Sequence, residues 1–589
     1  MSDAHKSGVR ATRRSALALM GLGGAAACAP VIEVGRSSDA AARGTFEHGV
    51  ASGDPSHRSV ILWTRVTPAA DASVPVIWEI DTDPAFSDPQ RGQAEARAVR
   101  DYTVKVEATG LAPGTDYHYR FRVGEEVSET GRTRTLPDGS PDRLNFAVVS
   151  CANYEHGYFN VYDLIARRHD ADEGGNGRGR YDALIHLGDY FYEYGAAAYD
   201  APDKPAGRVH DPAHETVTLE DYRTRHAQYR RDPNLQAATR AMAMIALWDD
   251  HETANDSWRG GAQNHDPGEG PWDERKEAAL RAYYEWMPVR DPQPGRARET
   301  LYRSFQFGDL LTLATVETRL TARAAPLIIE EYVDEVTADV DAFRAQYLND
   351  ETREMLGREQ RDYVVETFAR SKTDGVRWRM LANQVIMGRV MTPDFTPYVT
   401  QEATEAIEKD WPGIHDFLTL SKYGLPFYPD SWDGYPAARE RLYGALDAAG
   451  VNDMLVVTGD AHEFWALDLT RDDGTKMGAE FVTSSVSSKT LTAYLGDATA
   501  QHNLLLTREN DDARYYNALH NGFMDVSLGR ARGRITLHAV DTVNSRDYGS
   551  FQTARFDVRP RMRDGKETLT IGRARGLSLT QRALFMGLG

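Results

Sequence analysis

Five short apolar runs, at 146–149, 183–187, 242–248, 378–382 and 454–457, are each followed at once by residues able to bind a metal. Runs of this length between turn formers read as buried strands. Open α/β sheets hold their ligands in the crevice beyond the carboxyl ends of such strands. Two of the runs lead into Gly188-Asp189-Tyr190-Phe191-Tyr192 and Gly459-Asp460-Ala461-His462. A glycine lets the backbone turn sharply at a strand end, so that the next residue projects a carboxylate into the crevice. The first sequence adds a phenol three residues on, and the second adds an imidazole two residues on. Carboxylate, phenolate and imidazole together suit a hard divalent or trivalent cation, so the two sequences read as halves of one metal site. The other run ends supply Cys151, Asp249-Asp250-His251-Glu252 and Asn383. One such residue is as readily a cap or turn former as a ligand. Five on one sheet edge would bury several unpaired charges, a cost that a cation removes.

The rest of the chain, 589 residues long, exceeds what one hydrophobic core usually covers, so two or more domains are expected. Residues 46–138 alternate like strands, as in Val60-Ile61-Leu62-Trp63-Thr64-Arg65-Val66 and Tyr117-His118-Tyr119-Arg120-Phe121. Closely spaced turn signals make this a small all-β sandwich of the fibronectin or immunoglobulin type. Leu111-Ala112-Pro113-Gly114-Thr115-Asp116-Tyr117 resembles the tyrosine-corner turn of such sandwiches, with Tyr117 at the corner. The breaker-rich stretch 136–142 is the expected domain boundary. From 143 to 558 the apolar runs alternate with helical patterns, for instance at 278–284 and 352–370, and strands are again expected at 523–528, 533–540 and 552–558. That is an α/β domain with a mixed sheet. Segments 170–180 and 199–218 read as surface loops, and 559–589 as a short basic tail of uncertain order.

The formal net charge of -20 gives a surface that repels nucleic acid and anionic membranes. An anionic substrate would need a local positive centre, which bound metal ions supply. At the N-terminus, Thr12-Arg13-Arg14-Ser15-Ala16-Leu17 resembles a twin-arginine export signal, followed by an apolar stretch too short to span a bilayer. Residues 1–28 are therefore expected to be a signal peptide read by the twin-arginine export machinery. The mature protein would be periplasmic or secreted. No later segment approaches transmembrane length. Cys28 is placed like a lipid acceptor but lacks the usual preceding leucine, so lipid anchoring is not favoured. Cleavage there leaves Cys151 alone and no internal disulfide. Position alone leaves two readings of Cys151 open, a metal-bound thiolate and a buried inert thiol.

Taken in order, these motifs resemble the PhoD-like alkaline phosphatases of the metallophosphoesterase class. The resemblance runs through His48-Gly49-Val50-Ala51-Ser52-Gly53-Asp54-Pro55, Leu62-Trp63-Thr64-Arg65, Ser150-Cys151, Gly188-Asp189 with Tyr192, and Trp248-Asp249-Asp250-His251-Glu252 with Asn255. It continues through Met287-Pro288-Val289-Arg290, Leu381-Ala382-Asn383-Gln384, Trp432-Asp433-Gly434-Tyr435-Pro436 and Gly459-Asp460-Ala461-His462. One departure is Glu317-Thr318-Arg319, where the family often has Asp-Thr-Arg, which puts a secondary contact in question.

The resemblance implies a metallophosphoesterase-like fold, a ferric ion and one or more calcium ions. Residue chemistry sorts the ligands: Cys151, Asp189, Tyr192 and His462 suit Fe3+, while Asp250, Asn383 and Asp460 offer only oxygen and suit Ca2+. Asp189 is expected to bridge. The reaction implied is hydrolysis of a phosphate-ester substrate by attack of a metal-bound hydroxide or oxide on phosphorus. His251 is a donor to a phosphate oxygen or the leaving group, or else orients a metal ligand. Asn255 and Arg439 are candidate substrate contacts, although an arginine in a helical stretch is more often an ion-pair partner. Monoesters are the expected substrates, with diesters open to the same centre. A phosphodiesterase or phospholipase D-like hydrolase is the alternative on the same metals. A metal-stabilised binding protein is the alternative outside the enzyme class.

Overall fold

The five apolar runs become parallel strands, shared between two sheets. Arg143–Val149, Ala183–His186 and Met244–Ala246 pair in parallel in one. Trp378–Asn383 and Met454–Thr458 pair in parallel in the other, between Leu311–Thr315 and Lys476–Val482. The computed structural model describes residues 43–577, apart from 172–179, 200, 202, 402–403, 406–407, 409–412 and 496–498. The expected signal peptide, with Cys28, and the last twelve residues lie outside the described residues. Among those described, the first sheet has ten strands and the second seven.

Side chains alternate across each strand, and here both faces find apolar partners. Phe146, Val148, Ile185, Met380, Leu455 and Phe481 meet in a core between the sheets. Ala147, Val149, Leu184 and Met244 face helices that include Asn160–Ala171, Pro233–Ala241 and Trp272–Trp286. Ala314, Leu381 and Val456 face Gly357–Thr373 and Pro436–Ala448. The order is helix, sheet, sheet, helix, and burial on both faces is why the strands read as unbroken apolar runs rather than alternating ones. The helix expected from Thr352 begins only at Gly357, because Asp350 captures both the amide and the hydroxyl of Thr352 in a local turn.

The N-terminal strands form the expected two layers. Val74–Asp81 pairs with Gln90–Ala96 and with Asp116–Val123, which also pairs with Gly131–Arg134. This layer packs on Val50–Gly53, Ser59–Arg65 and Thr103–Thr109 through Val60, Leu62, Ile80, Tyr119 and Phe121. The tyrosine corner is present: the Ala112 amide donates to Tyr117 Oη at 2.8 Å. The second layer is not self-contained, since Gly53 pairs in parallel with Met244 and carries the large sheet on into the sandwich. At the other edge, Ser550–Arg563 runs past residue 558 and pairs with Lys566–Ile571. The stretch 559–571 is thus sheet edge rather than tail, a correction to the expected boundary.

Candidate metal centre

The carboxyl ends of the parallel strands point into one crevice, where Asp189 takes part in three clusters of ligand-capable groups. Cys151, Asp189 and His462 form one; Asp189, Asp250 and His251 a second; Asp189, Asp249, Asp250 and Asp460 a third. Within each cluster one ligand atom per residue lies within 4.8 Å of the others. Cys151, Asp189, Asp460 and His462 all take left-handed backbone angles, with φ of 61°, 53°, 64° and 59°. Non-glycine residues occupy that region only when their surroundings hold them there. Gly188 has φ 110°, and a Cβ there would sit 2.4 Å from the Asp249 amide nitrogen. Gly459 serves differently: a Cβ would lie 2.7 Å from Cβ of Ser150, so glycine lets the two sheets close on each other.

Glu252 fixes the turn around Asp189 by accepting from the amides of Asp189, Tyr190 and Asp249, at 3.1, 2.7 and 2.8 Å. On the thiol side, Tyr192 Oη lies 3.2 Å from Asp189 Oδ2 and 2.9 Å from His462 Nε2, and it accepts from Ser488 Oγ at 2.7 Å. His462 Nδ1 sits 3.2 Å from the Lys489 carbonyl. Donation to that carbonyl fixes the tautomer that leaves Nε2 a lone pair for a cation. Burial lowers His462 to about 3, so the ring is neutral. Burial also pushes the Cys151 thiol and the Tyr192 phenol well up, with the Asp189 charge adding to both.

The opposite side is acidic around one guanidinium. Arg319, fully buried, donates from Nε to Asp249 Oδ1 at 2.5 Å and from Nη1 to Asp430 Oδ2 at 2.5 Å. Its Nη2 lies 3.7 Å from both Asp250 and Asp460. Burial pushes Asp189 well above the carboxylate range; His251 opposes this, and Asp250 and Asp249 reinforce it. Burial raises Asp249 to about 6 against the pull of Arg319, and raises Asp460 strongly, with Asp249 adding to it. Asp250 is the exception: burial would raise it, but Arg319 and His251 hold it below its ordinary value. Asp189 Oδ1 and Asp249 Oδ2 are buried and, among the described residues, have no hydrogen-bond partner. Orphaned acceptors in a carboxylate cluster fit a cation, which would satisfy them and lower every raised carboxylate at once.

Asn383 ends its strand beside this loop: it pairs with Thr458, and the Gly459 amide donates to the next carbonyl, that of Gln384. Its Nδ2 donates to the Val385 carbonyl, and among the described residues Oδ1 is met only by a long 3.5 Å contact from Trp432 Nε1, which leaves the amide oxygen available. His251 lies against the Tyr192 ring at 4.0 Å and is held through Nδ1 by Glu193 Oε2 at 2.7 Å. Burial would lower its pKa, but Asp250, Glu193 and Asp189 raise it well above 6.5. Asn255 gives its side-chain amide to Gln263 and its backbone amide to Glu193, so it braces the residue that holds His251.

Arg439 is not brought to this crevice. It is buried against Asp433 and the Met387 carbonyl, and the carboxylates that act on it are Asp433 and Asp472. The substrate clamp expected of it is corrected to a structural ion pair, since a buried guanidinium spends its donors on a buried carboxylate. Sequence reasoning left Asp249, Arg319, Glu252 and Glu193 without roles. Asp249 and Asp250 are adjacent, and strand alternation would aim only one of them inward; the turn after Trp248 brings in both. The Glu317 departure does no harm, because its carboxylate accepts from the amides of Arg319, Leu320 and Thr321 and so fixes the turn that presents Arg319.

A family model described as PhoD-like phosphatase matches residues 146–537, and one for the N-terminal domain of such phosphatases matches 31–137. Alkaline phosphatase D of Bacillus subtilis (strain 168) is 34% identical over 463 residues, covering 75% of this chain and 69% of that protein. A solved structure titled "Structure of PhoD" superposes with a TM-score of 0.71 at 28% identity, covering 92% of this chain and 96% of that one.

Proposed function

This chain belongs to the PhoD-like phosphatase family and is a phosphoric ester hydrolase, and on that premise we propose that it is an exported, metal-dependent alkaline phosphatase. It releases phosphate from monoesters, with diesters accepted at the same centre. The observation that carries this reading is the sharing of Asp189 by three ligand-competent clusters. Charge matching sorts the ions. With thiol and phenol ionised, Cys151, Tyr192 and Asp189 present three negative charges beside a neutral His462, which matches Fe3+. Asp249, Asp250 and Asp460 present three more, of which Arg319 offsets one, leaving two for Ca2+ together with the Asn383 amide oxygen.

Cations held there would supply a positive seat for phosphate oxygens and an acidified water as nucleophile. The chain's own residues supply the rest. Ser488 steadies the Tyr192 oxygen, the Lys489 carbonyl sets the His462 tautomer, and Glu252 locks the turn that aims Asp189. His251, tied to Glu193 through Nδ1, stays protonated and keeps Nε2–H for a phosphate oxygen or the leaving group. Export is supported by the Arg13-Arg14 signal. No helix among the described residues is long and apolar enough to cross a membrane.

The test is phosphate release from nitrophenyl phosphate, with and without a calcium chelator. Chelator-sensitive activity is expected, and full activity in chelator would overturn the calcium assignment. Turnover of bis-nitrophenyl phosphate faster than the monoester would make the protein a phosphodiesterase.

A further inference from the structure

The C-terminal part of the chain has the opposite charge from the whole. Residues 530–577 carry eleven Lys and Arg against five Asp and Glu, whereas the full chain has 68 against 88. Three antiparallel strands, Gly522–Gly529, Gly533–Val540 and Ser550–Arg563, gather much of that charge on one face. Their other face, with Met524, Val526, Ile535, Leu537 and Phe556, is buried between the sheets. The outward residues pair across the strands as Ser527 with Arg534 and Thr536 with Arg555. Above them lies a cavity of about 400 Å³ lined by Arg143, Arg168, Arg532, Arg534 and Arg555, with Asp525 the one carboxylate among the described lining residues.

Arg143 donates to Ser527 Oγ at 3.0 Å and Arg168 Nε to Tyr181 Oη at 3.3 Å, and the neighbouring acids form only loose ion pairs with three of these arginines. Arg168 is 3.6 Å from Asp525, and Arg532 and Arg534 are 3.6 and 3.9 Å from Asp557, all beyond hydrogen-bond length. The buried Arg534 Nε has no hydrogen-bond partner among the described residues, and the Arg555 guanidinium makes no ion pair among them. Five guanidinium forks around a concave space, on a chain whose overall charge is strongly negative, focus positive potential at one place. Planar forks of this kind match the paired oxygens of phosphate. The volume admits a phosphate together with part of the molecule that bears it.

The geometry points to a second anion site, separate from the metal centre, that binds a ligand carrying phosphate groups. One of its lining residues, Asp525, pairs with Ala147, four residues and roughly 13 Å of strand before Cys151. Two sources share this chemistry, free inorganic phosphate and the phosphates of a polymer, and binding measurements separate them without reference to turnover.

The metal-loaded protein is titrated calorimetrically with inorganic phosphate and with poly(vinylphosphonate), whose carbon–phosphorus bonds are not ester bonds. The double variant Arg534→Gln, Arg555→Gln is compared with a control, Arg559→Gln, Arg561→Gln, on the same strand outside the cavity. The expected result is at least a tenfold loss of affinity for one probe in the first variant only, with nitrophenyl phosphate turnover within twofold of the parent. Loss of a second phosphate equivalent assigns the site to free phosphate, and loss confined to the polymer assigns it to a chain. Equal binding by parent and first variant, or equal weakening by the control, overturns the proposal.

Discussion

The two halves of the metal centre share Asp189 but are built on different principles. On the thiol side, Cys151, Tyr192 and His462 are held by neutral partners: the Ser150 and Ser488 hydroxyls and the Lys489 carbonyl. On the acidic side, Asp249, Asp250 and Asp460 surround Arg319, a built-in cation. Protonation explains the difference. A buried thiol and phenol stay neutral until a cation arrives, so that side needs no permanent countercharge. On the acidic side burial also raises Asp189, Asp249 and Asp460, but Asp250 is held below its ordinary pKa, and the charge it keeps needs the offset that Arg319 supplies, because an uncompensated buried charge costs several kcal/mol.

The sharpest break comes at the bridge. Asp189→Asn removes a donor from both halves, and phosphate release should fall to background in a protein that still folds, as judged by its thermal transition. Next comes Glu193→Gln, which leaves both halves in place but withdraws the charge that holds His251. Loss of an outer partner of this kind typically costs 10- to 100-fold. The sign of the pH effect is fixed: Glu193 raises the His251 pKa, so its removal lowers it, and activity should be lost at a lower pH on the alkaline limb. An unchanged limb would leave His251 a structural role only. The smallest effect lies outside both halves. Tyr117→Phe removes the corner hydrogen bond and should cost about 1 kcal/mol of stability, with turnover per folded molecule unchanged.

The unequal legibility of the two halves follows the same division. Cys151, Tyr192 and His462 stand at the ends of apolar runs, where strand, turn and chemistry are all local in sequence. Arg319 sits in a turn whose purpose appears only when Asp249, Asp430 and Asp460, from three other segments, close around it. Arg439 misled for the same reason, since its partner Asp433 is visible in sequence but its burial is not. The sandwich strands and the tyrosine corner were legible because alternation and turn residues are short-range signals. The continuity of that sandwich with the large sheet was not, because it depends on Gly53 meeting Met244, some 190 residues away. Strand order is a long-range pairing that no local pattern encodes.

In the proposed centre one carboxylate, Asp189, joins two chemically different metal positions. Elemental analysis of the purified protein beside its Cys151→Ser variant tests it most directly. Iron and calcium are expected in the parent, and the variant should lose iron while keeping calcium. A parent holding a single kind of metal, or a variant that retains its iron in full, would contradict it.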